Sequence, residues 1–194
     1  MDLNGRVQVS VSRSIAASAA RIFQVLADPA NHPALDGSGM LRVAPGQPAP
    51  SRVGDTFTMA MFLPDLGDYL MLNRITDFEQ DRRIAWEPTA GDAVASQNAE
   101  LPVGASQGYS WGFQLQPGDD TTIVTELFDC TGAAQSIRDA VGDGKNWVPA
   151  MRQTLERLAA IVEQPSSPDT RGITFHPPGA DFRRTGTERS PQAD

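Results

Sequence analysis

Between Trp147 and Val162 the apolar residues Trp147, Met151, Leu155, Leu158 and Val162 recur at steps of four, four, three and four. That is the spacing of one face of an α-helix, about four turns long. Upstream the period changes to two. Val7, Val9 and Val11 alternate with Gln8, Ser10 and Ser12 and predict a half-buried first strand. A short helix follows, with Ile22, Phe23 and Leu26 on one face, Ser18 as its N-cap and Asp28-Pro29 as its stop. A second short helix or turn is expected over Ala30 to Leu35, closed by the turn Asp36-Gly37-Ser38-Gly39.

Strands then come in quick succession. Met40–Ala44 is read as a short strand before the proline-rich connector Pro45–Pro50. Phe57, Met59, Met61 and Leu63 share one strand face. Tyr69, Met71, Asn73 and Ile75 share another, and the two strands form a hairpin across Pro64–Gly67. Arg83–Trp86 is a brief β-prone segment ended by Pro88, and a polar loop runs from Thr89 to Ala105. Tyr109, Trp111, Phe113 and Leu115 alternate, Gly118-Asp119-Asp120 turns the chain, and Thr121–Cys130 returns as a strand. The small, polar segment Thr131–Gly144, with one helical turn, leads into the last helix.

Consecutive strands with short turns predict an antiparallel sheet, and helices segregated to its ends predict an α+β fold. Residues 1–164 are read as one domain. The Pro-, Ser-, Thr- and Gly-rich stretch 165–194 is read as a disordered tail, with little to bury beyond Ile173, Phe175 and Phe182. One amphipathic helix must cover the whole sheet, and a rod lying in a curved sheet leaves space that suits an apolar ligand.

Composition narrows the partners. The 194-residue chain carries a formal net charge of -8 with no basic stripe, which argues against nucleic acid and anionic membrane surfaces. Its single cysteine, Cys130, excludes an intrachain disulfide. No apolar h-region follows Met1 and no stretch reaches the length of a membrane span, so a cytoplasmic location is expected.

The chain resembles a known family in Ala27-Asp28-Pro29-Ala30-Asn31-His32-Pro33 with Asp36-Gly37-Ser38-Gly39, then in Phe57–Met61, Asn73, Phe78-Glu79 and Arg83-Ile84-Ala85-Trp86. The likeness continues through Thr125-Glu126-Leu127-Phe128-Asp129 and Met151–Leu158, covering roughly residues 5 to 163. These residues resemble the START-like (SRPBCC) superfamily, and within it the polyketide cyclase/dehydrase and lipid-transport group. The resemblance implies a helix-grip fold, with a curved antiparallel sheet of about six or seven strands wrapped around the C-terminal helix. It does not choose among carriers, receptors, cyclases and co-chaperones, because fold alone does not fix activity.

The candidate ligand-binding residues are Met59, Met61, Met71 and Asn73, with Trp86, Tyr109, Trp111, Phe113, Trp147 and Met151. Methionine adapts to irregular apolar guests, and Tyr and Trp carry polar tips that seek partners. Periodicity alone favours an ordinary core of the same residues, and it is the family resemblance that implies a partly open cavity instead. Glu126 shares a strand face with Val124 and Phe128, but Ile123, Thr125 and Leu127 make the other face equally mixed, so alternation leaves its direction open. If it points inward, desolvation raises its pKa and makes it an acid, a base or a ligand anchor.

Glu126, Tyr109 and His32 are the weak catalytic candidates. His32, between Asn31 and Pro33, is read in the first place as a surface residue of a capping turn, and Asp36 as a turn-former. No P-loop, dinucleotide fingerprint, zinc spacing or Gly-x-Ser-x-Gly elbow is present, so no cofactor and no metal is expected. The leading expectation is a carrier of an apolar or amphipathic small molecule, lipid-like or polyketide-like. A cyclase or dehydratase using the same cavity is the alternative, and a protein-interaction module a third reading.

Overall fold

A computed structural model describes residues 5–42, 46–64, 67–89 and 104–164 of the chain. Its strands are β1 (Gln8–Ile15), β2 (Thr56–Leu63), β3 (Gly67–Glu79), β4 (Arg83–Thr89), β5 (Ser110–Pro117) and β6 (Thr122–Asp129). Its α-helices are α1 (Ala19–Ala27), α2 (His32–Leu35), α3 (Gln135–Ala140) and α4 (Val148–Val162), with 3-10 turns at Pro29–Asn31 and Lys145–Trp147. The strands form one six-stranded antiparallel sheet in the order β1-β6-β5-β4-β3-β2. Strands β2 to β6 run as a meander. The first strand joins beside the last, and α1, α2 and α4 cover the inner face. This is the expected α+β helix-grip arrangement.

Alternation sets the two faces. On β3, Tyr69, Met71, Asn73 and Ile75 are buried while Leu70, Leu72 and Arg74 are exposed. Past Ile75 the register with β4 shifts by one, pairing Ile75 with Trp86 but Asp77 with Ala85. The bulge reverses the phase of the strand. Phe78, which strict alternation would send outward with Leu70 and Leu72, instead packs edge-on against Phe23 of α1 at 5.3 Å.

The helices end where local chemistry stops them. Ser18 caps α1 by accepting from the Arg21 N–H at 3.3 Å, and Asp28 accepts from the Ala30 N–H at 2.9 Å to open the next turn. In α4, Met151, Thr154, Leu155, Leu158, Ala159 and Val162 are buried. Each fully buried Leu stabilises the fold by about 1.5–3 kcal/mol relative to exposure.

Three expectations change. Of the strand expected at Met40–Ala44, the described residues Met40–Arg42 form one bridge, Leu41 to Met61, held by Arg42 N–H to Ala60 O and Phe62 N–H to Met40 O, each 2.8 Å, and 43–44 lie outside the described residues. The fourth strand does not stop at Pro88 but runs through it to Thr89. The Pro88 carbonyl accepts from the Gln107 N–H, so its missing N–H lies on the side away from β3, where the β5 ladder has already ended at Trp86–Trp111. The α-helix itself begins at Val148, with Trp147 in the 3-10 turn before it. The loop at 90–103 and the tail at 165–194 lie outside the described residues. No described helix is long and apolar enough to cross a membrane.

Candidate functional site

Strand β6 settles the direction of Glu126. Thr122, Val124, Glu126 and Phe128 are buried, whereas Ile123 is 43% exposed. Glu126 pairs with Val11 of β1 on one side and Phe113 of β5 on the other, so its side chain rises from the inner face between apolar neighbours. It is 5% exposed, and its Oε2 has no hydrogen-bond partner. Burial, reinforced by the Asp36 carboxylate, pushes its pKa up to about 8. At neutral pH this carboxyl is therefore largely protonated.

Aromatic rings cover the rest of the inner face. Trp86 stacks on His32 (5.4 Å between centroids, 23°) and meets Phe57 at 5.7 Å and Phe113 at 6.1 Å. Further along, Phe128 meets Trp111 at 4.6 Å, Tyr109 at 5.6 Å and Trp147 at 6.3 Å. Trp147 also lies edge-on to Trp111 at 5.6 Å. The buried apolar residues form two clusters, one around Trp86 and the other around Phe128 and Met151, and Trp111 packs against both. The Trp147 indole Nε1 is buried without a hydrogen-bond partner. Trp147 thus sits over the Trp111–Phe128 pair, which is separated from the Phe113–Glu126 pair on the ladder by Gly112–Leu127.

All ten candidate ligand-binding residues lie at or beside this inner face. Met59, Met71, Asn73, Trp86, Phe113 and Met151 are buried; Met61, Tyr109, Trp111 and Trp147 are half-buried. The Asn73 amide donates to its own strand, at the Met71 carbonyl (3.1 Å). Burial raises the pKa of Tyr109, and neighbouring Tyr69 adds to the shift, so its phenol stays neutral. Phe57, Tyr69 and Phe128 belong to the same face and are not among the candidate ligand-binding residues read from the sequence, which places them only on strand faces. The signal for Phe128 was its two-residue spacing from Glu126.

His32 corrects the expectation of a surface residue. It is 7% exposed, and its Nε2 lies 2.8 Å from the Leu26 carbonyl oxygen. The 3-10 turn at Pro29–Asn31 carries the chain inward, so the ring lands between Phe57 and Trp86. Burial lowers its pKa, partly opposed by that hydrogen bond and by Asp28 and Asp36. A neutral ring with Nε2 engaged is suited to packing rather than to proton transfer.

Asp36 does more than turn the chain. Its carboxylate accepts from the Ser38 N–H (2.8 Å), the Ser38 hydroxyl (2.6 Å) and the Leu41 N–H (2.8 Å), and its carbonyl accepts from Arg157 of α4. Clefts of about 310 and 200 Å³ open on the outer face of the sheet, beside Arg83 and Gln114. Both are bordered by long polar side chains, whereas the unpartnered Glu126 and Trp147 atoms are on the inner face. Among the described residues no three His, Cys, Asp or Glu side chains cluster to hold a metal ion.

The sequence profile described as polyketide cyclase / dehydrase and lipid transport matches residues 6–163. The chain belongs to this family. An uncharacterized protein of Mycobacterium tuberculosis is 29% identical over 161 residues, covering 80% of this chain and 64% of the relative. The chain therefore spans a little under two thirds of the length of the curated relatives it matches. Among solved structures, an Arthrobacter aurescens protein superposes with a TM-score of 0.60 at 14% identity, covering 91% of this chain and 96% of that one. The di-domain ARO/CYC of the steffimycin biosynthetic pathway gives 0.56 at 10% identity, covering 81% of this chain and 51% of that one. At these identities the likeness is one of fold, and it places this family member among helix-grip proteins.

Proposed function

We propose that this family member binds an apolar or amphipathic small molecule between the inner face of the sheet and α4, as a carrier rather than a catalyst. One observation carries the reading: Glu126 Oε2 and Trp147 Nε1 are buried without partners on a largely aromatic and aliphatic face, and Arg138 Nε of α3 is the third such atom among the described residues. A buried polar atom left unpaired costs about 1–3 kcal/mol, and a guest that supplies the missing bond recovers it. The guest's apolar body would replace ring-to-ring contacts at roughly 25 cal/mol per Å² of area removed from water. Trp111 and Trp147 are partly exposed, so access runs past them, between the Gly37–Met40 loop and the Thr131–Gly144 segment. The buried free thiol of Cys130 fits a reducing compartment, and we assign the protein to the cytoplasm on that ground.

All three tryptophans of the chain, Trp86, Trp111 and Trp147, lie on this face. Titration with a total lipid extract should therefore change the intrinsic fluorescence saturably, and native mass spectrometry should show a retained small molecule. Unchanged fluorescence with no retained species would refute the binding role.

A cyclase or dehydratase role is the second reading, favoured by the Glu126 carboxyl being protonated near neutral pH. Glu126→Gln distinguishes the two: it should abolish turnover in an enzyme and only adjust affinity in a carrier.

A further inference from the structure

We infer that the free edge of β1 is a dimer interface, where a second copy of this chain adds its own β1 antiparallel and continues the sheet through a two-fold axis at Val11. The two edges of the sheet are finished differently. At the β2 edge, the Thr58 N–H donates to Gln47 Oε1 at 2.8 Å, and the Thr58 carbonyl accepts from Gln47 Nε2 at 2.7 Å. The Ala60 carbonyl and the Phe62 N–H are taken up by Arg42 and Met40. That edge is sealed. At the other edge, β1 keeps an unbroken register with β6 from Gln8–Asp129 to Ile15–Thr122, without the bulge or proline that blunts exposed edges. The Val7 carbonyl accepts from the Cys130 N–H, so odd-numbered residues of β1 turn their backbone groups to β6. Gln8, Ser10, Ser12 and Ser14 turn theirs away, and among the described residues nothing pairs with them. Only the next group in that row, the Ala16 N–H, is met, by the Glu163 carboxylate at 3.0 Å.

A second copy fits this edge in both shape and charge. Ser10, Ser12 and Ser14 are exposed, small and uncharged, so another backbone can approach closely. Val9 and Val11, on the inner face, are half-buried and gain cover from the added strand. With the axis at Val11, Ser10 lies opposite Ser12 of the second copy and Gln8 opposite its Ser14, so the unpaired backbone groups satisfy one another. Arg13, the only charged residue of β1, falls opposite Val9 and roughly 13 Å along the strand from the other Arg13. Like charges therefore do not meet. Beyond the strand, Arg6 of one copy comes level with Ala16 of the other, where the Glu163 carboxylate is held. The Arg6 side chain is 61% exposed and reaches Asp129 only at 3.8 Å. Two Arg6–Glu163 pairs across the axis would offset part of the repulsion between chains of net charge -8. An arbitrary strand would satisfy the backbone alone; this placement of charge favours the chain itself.

Sedimentation equilibrium of the full chain tests this, over loading concentrations from about 1 to 100 µM. At the upper end the wild type should show twice the 20.8 kDa mass of one chain. Ser10→Pro removes an N–H that β6 does not use, and Ser10→Lys places like charges on both sides of the axis. Each should weaken self-association about tenfold or more, with circular dichroism establishing that both variants are folded. Val11→Cys tests the register. At a non-hydrogen-bonded pair the two Cα atoms lie about 4.5 Å apart, so mild oxidation should give a disulfide-linked dimer, whereas Val9→Cys should give none. The native thiol, Cys130, is buried and does not compete. A monomer at every concentration would overturn the inference, whatever else covers the edge. A dimer that both Ser10 variants leave intact would overturn it as well.

Discussion

Gly37 and Ala150 meet backbone to backbone: a Cβ on Gly37 would lie 2.0 Å from the Ala150 carbonyl oxygen. The Gly37 N–H donates to Thr154 Oγ1 at 3.1 Å, and that hydroxyl donates to the Ala150 carbonyl at 3.1 Å. Together with Arg157 on the Asp36 carbonyl, these bonds pin the loop after α2 to the first turns of α4. The same loop carries the carboxylate that acts on Glu126, so the docking that closes the fold also sets the electrostatics of the site.

Gly37→Ala should therefore destabilise the fold on the order of 3 kcal/mol or more, because backbone on both sides must shift. Gly39 is the control: it has a φ of +72° but open space around it. Gly39→Ala should cost only about 1–2 kcal/mol, from the left-handed backbone alone. Chemical denaturation of both variants checks this, and equal losses would contradict the close-approach argument.

Glu126 should make stability fall as pH rises. Its folded pKa, about 8, lies above the ordinary carboxyl value of 4.5. Between those limits the unfolded chain releases a proton that the folded chain keeps, so each rise in pH favours unfolding. The loss should begin near pH 4.5 and be complete above pH 8, on the order of a few kcal/mol in total. Glu126→Gln should remove this slope and be more stable than wild type at pH 9. Parallel wild-type and variant curves would show that the carboxyl is solvated.

His32 acts in the opposite direction. Burial holds its pKa below the usual 6.5, so below that pH the unfolded chain takes up a proton that the folded chain refuses. Stability should fall with decreasing pH through this group, and His32→Phe should lack the loss. The unfolding free energy of the variant minus that of wild type should grow from pH 6.5 to 5, whatever its starting value. A difference independent of pH would mean that the ring titrates normally.

Much of the fold was legible because a single rule governed it. Tyr69, Met71, Asn73 and Ile75 alternate without interruption, and their burial follows. The α4 stripe likewise reads directly onto the buried face. What was not legible depended on partners distant in the chain. Glu126 could not be oriented from β6 alone, because both faces carry apolar residues; Val11 and Phe113 on the flanking strands decide it. The local company of His32 is polar, and its burial comes from Trp86 and Phe57. The bulge beside Thr76 reverses the phase of Phe78, and the end of the β5 ladder admits Pro88 into β4. The family resemblance was readable from motifs spread along the chain, but no motif named a ligand.

Trp147→Phe isolates one donor. The ring contacts with Trp111 and Phe128 are largely kept and an unpaired buried N–H is removed, so stability should hold or rise slightly, by less than about 1 kcal/mol. Thermal unfolding checks this. A large loss would mean that the N–H has a structural partner.

The most direct measurement is photolabelling with a diazirine-bearing long-chain lipid, followed by peptide mapping. Binding at the inner face predicts adducts on the peptides carrying Trp111, Phe113, Trp147 and Met151, competed away by the same lipid without the diazirine. Adducts confined to the outer-face clefts around Arg83 and Gln114, or labelling that the unmodified lipid does not suppress, would contradict the account.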